Sequence, residues 1–590
     1  MKYIKLLLLL CVLFYGTDMR GENSSDSLNI KIKFYHKIKL SDGTKLSSNI
    51  YLPEDYNNQK RYPTILVITP YVSDENHERG LFFSRNGYVF ITVDCRGRGN
   101  SEGKFIPFQD DAKDGAEVVN WIGEQPWSNG KVGMMGGSYR GMNQWFVLKE
   151  FPKYLKTIIP TASVGPGLDF PKYNNIFYPY VMRWLMLTSE KTINQKLFGA
   201  DFWTQKQEEL YKKNAKFNSY DDIVGYPKEV FQNWISHPSH DEFWQQYYFK
   251  PEESKQINIP ILSITGHFDS DQPGAMKYYT DHMKDGNNQA RLNHYLIVGP
   301  WSHGGTRRPA KELGGFQFKE NAVLNMNALH LNWFDWTLKK GKKPEFLKDR
   351  VAYYTMGTNV WNYTSDFKNI ANAKKEFYLS SINTDAKSVF NSGKLIESPV
   401  DSDKNSDEIV YNPLENNGID NPSYTSDKKD FYKDQSYVND KEVLIYHSAP
   451  LKEDLIINGK IAFEAYIELN VDDTDFEVSV YEITKDNESI FLQTDQLRAR
   501  YRNGLEKVDF PKRNTINKYL FEGENMFSRV VKKGSRLRLV FSTIDNPNVQ
   551  KNYNYKEDPA SQVAQKAKTA IIKLFHNKKY PSKIIVPIKK

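Results

Sequence analysis

Apolar runs that end in turn residues alternate with amphipathic stretches over residues 28–165. Tyr62–Thr69 and Tyr88–Asp94 are apolar and β-branched, the pattern of strands buried on both faces of a parallel sheet. From Asp110 to Glu124, Ala112, Ala116, Val119 and Ile122 fall on one helical face. Lys131–Met135 reads as a short buried strand entered from the turn Pro126–Gly130, and Met142, Trp145, Phe146 and Leu148 then recur at near-helical spacing before Pro152. This alternation predicts an α/β layer architecture. Residues 166–252 break it: of the eighty residues 171–250, nineteen are Phe, Trp or Tyr, and no run alternates like a strand. Paired helices such as Tyr180–Leu187 and Asp241–Phe249 are predicted there, either capping a pocket or forming a small helical subdomain. Over 253–350 the sheet resumes at Ile259–Thr265 and His294–Val298, and a helix around Asn321–Leu338 closes it. Asn383–Asp440, rich in Lys, Asp, Asn and Ser, reads as loops. Glu442–His447, Leu455–Leu469, Phe476–Ile483, Arg536–Ser542 and Lys583–Ile588 then alternate with period two, so 370–590 is predicted as an antiparallel β domain, a sandwich or jelly roll. No internal repeats occur.

Composition narrows the class. A chain of 590 residues with 14% aromatic and 26% charged residues is globular and long enough for two to four domains. The net charge of +8 is small for this size, and no compact Lys/Arg cluster carries interleaved aromatics, so no nucleic-acid partner is expected. Met1-Lys2-Tyr3-Ile4-Lys5 followed by the apolar Leu6–Tyr15 reads as a secretory signal over residues 1–21, cleaved between Gly16 and Glu22. It falls short of the ~20 apolar residues that span a bilayer, so no membrane span is expected. Leu10 before Cys11 fits a lipidation box poorly. The expected location is the bacterial periplasm or the extracellular space. Cys11 leaves with the signal, so Cys95 has no partner for a disulfide and reads as packing at a strand end.

The chemistry concentrates in Gly136-Gly137-Ser138-Tyr139-Arg140-Gly141. Strand, glycine-lined turn and helix form the setting that holds a serine out for attack. Gly99-Asn100-Ser101-Glu102-Gly103 matches G-x-S-x-G to the letter, whereas Ser138 has Arg140 where that pattern wants glycine. Ser101, however, follows its strand through a long Arg/Gly loop with no helix after it, so context assigns the nucleophile to Ser138. A serine nucleophile needs a base, and the base needs an acid to hold its tautomer. In α/β-hydrolases the chain order is Ser, acid, His, with the acid and the His on loops after strands. Asp269 follows Ile259–Thr265 and His303 follows His294–Val298; Asp271, two residues on, is the alternative acid. The backbone N–H of Tyr139 is one oxyanion donor by construction, and the loop after an early strand, here Thr69-Pro70-Tyr71, is where the second usually lies. His237-Pro238-Ser239-His240 lacks the further ligands of a metal site.

Several spaced motifs resemble the CocE/NonD family, which includes cocaine esterase, α-amino-acid ester hydrolases, glutaryl-cephalosporanate acylases and X-prolyl dipeptidyl-peptidases. They are Thr69-Pro70-Tyr71, Asp94–Gly103, the sextet around Ser138, Gly266–Asp269, Gly299–Gly304, Asp472–Phe476 and Leu497–Arg502. They cover nearly the whole chain after the signal. The family's G-x-S-Y-x-G pattern accounts for Gly141. The resemblance implies an α/β-hydrolase sheet with a helical cap and a C-terminal jelly roll. It implies the triad Ser138, Asp269 and His303, with the Tyr71 hydroxyl and the Tyr139 N–H as the oxyanion hole. The Asp94-x-Arg96-Gly97 loop is then structural. The expected activity is cleavage of a small-molecule ester or amide through an acyl-enzyme, without metal or cofactor, and a homo-oligomer is possible. An esterase or acylase of α-amino acyl groups is preferred over an X-prolyl peptidase, because the sheet begins by about Ile30 where those peptidases carry an extra helical domain. A non-catalytic glycan-binding protein would lack the intact set of three residues. Acyl transfer and hydrolysis use the same acyl-enzyme and are not separable by sequence.

Overall fold

A computed structural model describes residues 30–226, 228–399, 405–416 and 442–590. The predicted signal, residues 1–21, lies outside the described residues, as does much of the predicted loop stretch Asn383–Asp440.

Ten strands form the first sheet: β1 (Ile32–Lys39), β2 (Lys45–Tyr51), β3 (Tyr62–Thr69), β4 (Val89–Asp94), β5 (Ser128–Ser138), β6 (Leu155–Ser163), β7 (Ile261–Phe268), β8 (His294–Ser302), β9 (Val351–Thr355) and β10 (Val360–Thr364). Their order is β1-β2-β4-β3-β5-β6-β7-β8-β9-β10. From β4 to β9 neighbouring strands are parallel, and the outer pairs β1–β2, β2–β4 and β9–β10 are antiparallel. Period-two alternation splits the apolar strands between two cores. Leu66, Ile68, Met134 and Ile158 pack under α2 (Asp111–Gly123) and α3 (Tyr139–Lys149). Ile65, Val67, Met135 and Ile159 pack on the other face against α1 (His77–Arg85) and Trp333 and Phe334 of a C-terminal helix, Met326–Lys339. The chain leaves β3 in one direction to β4 and returns to β5 on the opposite side. Such a reversal opens a crevice at the carboxyl ends of the strands, where ligands bind in open α/β sheets.

Between β6 and β7 lies the aromatic-rich segment. Trp203, Trp234, Trp244 and the helix α4 (Tyr180–Leu187) share one apolar core with Tyr139, Met142 and Phe146 of α3, so this segment sits on the start of α3. Two expectations for it are corrected. A short antiparallel pair, Lys172–Tyr173 with Ile176–Phe177, occurs where no strand was expected, because two-residue strands carry no period to read. The predicted helix Asp241–Phe249 is only Glu242–Gln245, and the next turn, Pro251–Ser254, starts separately, Lys250 being held extended before Pro251.

Among the described residues the C-terminal region forms a sheet of thirteen strands around one large apolar cluster and a smaller one, in keeping with the expected β domain. The predicted run Leu455–Leu469 is two strands, Leu455–Gly459 and Ala462–Leu469, separated at Gly459 with φ 121°. Gly393–Ile396 and Ser406–Tyr411, expected as loop, are also strands. The two motifs of this domain meet: Arg498 pairs with Asp475 at 2.9 Å and Arg500 with Asp473 at 2.7 Å, all buried. Arg498 also donates to the Asn175 carbonyl, tying the β domain to the aromatic-rich segment.

Candidate active site

Ser138 ends β5 and directly precedes α3, with φ 64° and ψ −128°. A non-glycine residue in this region is strained by about 1–3 kcal/mol and persists where its surroundings over-determine it. Part of that constraint is the close crossing of α3 over β6: a Cβ on Gly141 would lie 2.6 Å from the Thr161 carbonyl oxygen, so glycine is required there. Tyr139 is fixed on three sides. Its hydroxyl donates to Asp111 at 2.5 Å and accepts from the Phe108 N–H at 2.9 Å, and its ring stacks on Trp184 with centroids 5.5 Å apart. Burial pushes the Asp111 carboxyl up to about 6. As first residue of α3, Tyr139 has a backbone N–H without an intrahelical acceptor.

The acid and base candidates meet beside it. Asp269 follows β7 and is fully buried; it accepts from Thr265 Oγ1 at 2.8 Å, from the Asp271 N–H at 3.1 Å and from His303 Nδ1 at 2.8 Å. A proton on Nδ1 facing that carboxylate leaves Nε2 as the basic nitrogen. Asp271 Oδ2 lies 3.5 Å from His303 Nδ1 and 3.5 Å from Ser138 Oγ, so hydroxyl and imidazole share one carboxylate oxygen. The Ser138 hydroxyl donates along this long contact rather than to His303. Burial opposes charge on His303, but Asp271 and the Asp269 hydrogen bond outweigh it and hold its pKa above the ordinary histidine value. Burial, together with the Asp269 charge, raises the Asp271 carboxyl against the lowering effect of His303 and Arg307. The supporting strands run further than predicted. Gly266–Phe268 belong to β7 and Gly299–Ser302 to β8, because paired glycines let the strands approach until a Cβ on Gly266 would meet the Trp301 oxygen at 2.1 Å.

Tyr71 stands just beyond β3, across the crevice. Trp184 Nε1 donates to the Tyr71 hydroxyl at 3.1 Å, which leaves the phenolic proton available for donation. Burial raises the Tyr71 pKa, so it stays protonated. Three supporting residues carry no sequence signal of their own. Trp184 comes from α4, and Thr265 lies four residues before the acid it holds. Asn525, in the β domain, donates to the carbonyls of His267 at 3.3 Å and Asp269 at 3.0 Å, while Gln272 and Met526 exchange two hydrogen bonds beside it.

The competing serine is structural in its contacts. Ser101 is buried, accepts from the Ser47 N–H at 2.8 Å and donates to the Asp94 carbonyl at 2.7 Å. In the same loop Arg96 pairs with Asp114 at 2.6 Å and Asp42 at 2.7 Å. Cys95 is a buried free thiol whose pKa burial lifts well above the ordinary value. His237 and His240 take separate partners, Asp241 at 2.8 Å and the Gly167 carbonyl at 3.2 Å. Asp269, Asp271 and His303 are the only metal-type donor group among the described residues, with donor atoms within 4.8 Å of one another. The short contact between Asp269 and His303 Nδ1 already occupies two of those atoms. No helix among the described residues is long and apolar enough to cross a membrane.

A family model for X-Pro dipeptidyl-peptidases of the S15 family matches residues 42–305, and one for the X-Pro dipeptidyl-peptidase C-terminal non-catalytic domain matches residues 346–585. Cocaine esterase of Rhodococcus sp. is 24% identical over 93% of this chain and 97% of its own. Among solved structures, an aminopeptidase from a marine sediment archaeon of the Thaumarchaeota superposes with a TM-score of 0.82 at 20% identity, covering 96% of this chain and 97% of its own. An α-amino acid ester hydrolase gives 0.81 at 20% identity, covering 98% and 100%. At these identities the two structures establish the shared fold. With the S15-type domain, the C-terminal β domain and the full-length likeness to cocaine esterase, the chain belongs to the CocE/NonD family of serine hydrolases.

Proposed function

We propose that the protein cleaves an ester or amide through an acyl-enzyme on Ser138. The observation that carries this reading is the Asp269–His303 hydrogen bond of 2.8 Å beside a serine held at φ 64° on a strand-to-helix turn. His303 Nε2 takes the Ser138 proton as the hydroxyl attacks the carbonyl carbon, and the imidazolium then protonates the leaving group. Asp269, buried and holding Nδ1–H, keeps the tautomer and favours the imidazolium. The Tyr71 hydroxyl and the Tyr139 N–H receive the charge that develops on the carbonyl oxygen. Water repeats the cycle to release the acid. The contact of Ser138 with Asp271 is compatible with this route, since catalytic hydrogen bonds are often long or misaligned until substrate binds.

For the acyl group, the preferred reading is an esterase or acylase of the α-amino-acid ester hydrolase type, supported by the full-length likeness to cocaine esterase. An X-prolyl peptidase is the second reading, favoured by the family description that residues 42–305 match. Purified protein assayed against p-nitrophenyl esters, amino-acid esters, X-Pro anilides and β-lactam amides separates the two. Ester or amino-acyl turnover with silent X-Pro anilides is expected, and preferred cleavage of the anilides would reverse the order. Export belongs to the proposal too, supported by the charged and apolar pattern of residues 1–21. The mature chain should start between Gly16 and Glu22, which N-terminal sequencing of secreted material reads directly.

A further inference from the structure

Four arginines converge on the nucleophile turn from three separate elements. Arg79 is on α1, Arg140 is in the first turn of α3, and Arg307 and Arg308 follow His303 on the turn after β8. Arg307 lies against the turn itself: a Cβ on Gly137 would lie 2.7 Å from its Cδ and 2.8 Å from its Nη1, so its guanidinium packs on the backbone next to the serine. Arg140 covers the Tyr71 ring at 5.5 Å and is about 15% exposed.

The cluster is under-neutralised. Arg140 reaches Glu75 at 3.7 Å, Glu75 also faces Arg308, and Arg307 acts on Asp271 across the site, so two carboxylates stand against four guanidinium groups. Among the described residues, the side chains of Arg79, Arg307 and Arg308 make no hydrogen bond or ion pair. Arg307 Nη1 and Arg140 Nε are buried without an acceptor. Burial, reinforced by the other three arginines, lowers the pKa of Arg79 to about 10. Arg308 is exposed and Arg79 and Arg307 are half-buried, but like charges gathered around buried, unfilled donors are destabilising unless an anion completes them. Guanidinium is also the side chain whose fork of donors matches a carboxylate or another small oxyanion.

We infer that the substrate carries an anionic group, a carboxylate in the simplest case, which Arg307 and Arg140 hold beside Ser138 with Arg79 and Arg308 supplying the surrounding positive field. This rests on the serine-hydrolase reading and adds a charge requirement to it. The anion can belong to the acyl part or to the leaving group; the chemistry that recognises it is the same.

Matched esters test it. For the acyl side, the 4-nitrophenyl monoester of adipic acid is compared with its methyl-capped diester; for the leaving side, 3-carboxy-4-nitrophenyl acetate is compared with 4-nitrophenyl acetate. At low ionic strength the charged member of at least one pair should be preferred in kcat/KM by roughly 10- to 100-fold, the discrimination expected when buried donors are filled or left empty. The preference should shrink with added salt and fall toward unity in Arg307→Gln and in Arg140→Gln, with Arg307→Lys retaining part of it. Equal or better use of both neutral members, or a preference that survives both glutamine variants, overturns the inference. Protection of Ser138 from a fluorophosphonate gives an answer that does not depend on turnover. Two pairs of protectants are compared, monomethyl with dimethyl adipate for the acyl side and 3-carboxy-4-nitrophenol with 4-nitrophenol for the leaving side. The charged member of at least one pair should slow labelling of the wild type more, and equal protection within both pairs overturns the inference. A protein whose Ser138 is labelled but which shows no charge preference loses only this inference. One whose Ser138 is never labelled loses the underlying reading as well.

Discussion

At the scale of single residues, two carboxylates compete for the role of acid, and geometry separates them. Asp269 is fully buried and its Oδ1 meets His303 Nδ1 at 2.8 Å, whereas Asp271 stands off at 3.5 Å and also faces Ser138. Asp269→Asn should lower kcat by orders of magnitude, on the order of 10⁴ as in the best-studied triad, with the fold retained. Asp271→Asn should act on the pH profile instead. Asp271 is the largest influence raising the His303 pKa against burial. Because the base works neutral, kcat/KM falls as pH drops through a value raised above ~6.5, and removing the Asp271 charge should move that limb to lower pH. A pH–rate series on both variants reads the difference; an unmoved limb in Asp271→Asn would contradict the assignment. Tyr71→Phe keeps the ring and deletes the hydroxyl that Trp184 Nε1 leaves free to donate. Loss of one oxyanion donor costs kcat about 10²–10³. KM and melting temperature should hardly change, and a fall mainly in stability would return Tyr71 to a packing role.

At the scale of elements, the site depends on how β5, β7 and β8 end and on what crosses them. Gly141→Ala places a Cβ 2.6 Å from the Thr161 carbonyl, so α3 must shift against β6. Overpacking of that kind costs about 1–3 kcal/mol, and because α3 carries the Tyr139 N–H, kcat should fall along with stability. Chemical denaturation paired with kinetics checks both, and an active, fully stable variant would show that the turn has slack. Much at this scale was legible in the sequence. Tyr62–Thr69 and Tyr180–Leu187 are the elements predicted, since an apolar, β-branched run ending in turn residues marks a buried strand and the apolar stretch after Pro179 marks a helix. The strand ends were less legible. Gly266 and Gly299 read as loop because glycine is a breaker, yet here they extend β7 and β8 by allowing the two chains to touch. The placing of Ser138 on a strand-to-helix turn and the meeting of Asp269 with His303 beside it follow the settings and order read from the sequence. Trp184 and Asn525 were not, because only tertiary packing brings them to the site.

At the scale of the whole molecule, the β domain helps to hold Asp269 in place. Asn525 grips the backbone of His267 and Asp269 from more than 250 residues away, and Gln272 with Met526 closes the same joint. Asn525→Ala should therefore reduce kcat several-fold with a smaller effect on KM, since the loop that orients His303 loses its anchor. Rate constants unchanged from wild type would make the contact merely structural. The buried Arg498–Asp475 pair, which also reaches the Asn175 carbonyl, fixes the domains together. Breaking it with Asp475→Ala leaves an uncompensated buried guanidinium and should cost about 3–5 kcal/mol in denaturant melts. The most direct test of the central claim is mass-spectrometric mapping of a fluorophosphonate on the native enzyme. One modified peptide is expected, the one containing Ser138, with no labelling or turnover in Ser138→Ala. Modification at Ser101 or elsewhere, or an active Ser138→Ala enzyme, would contradict it.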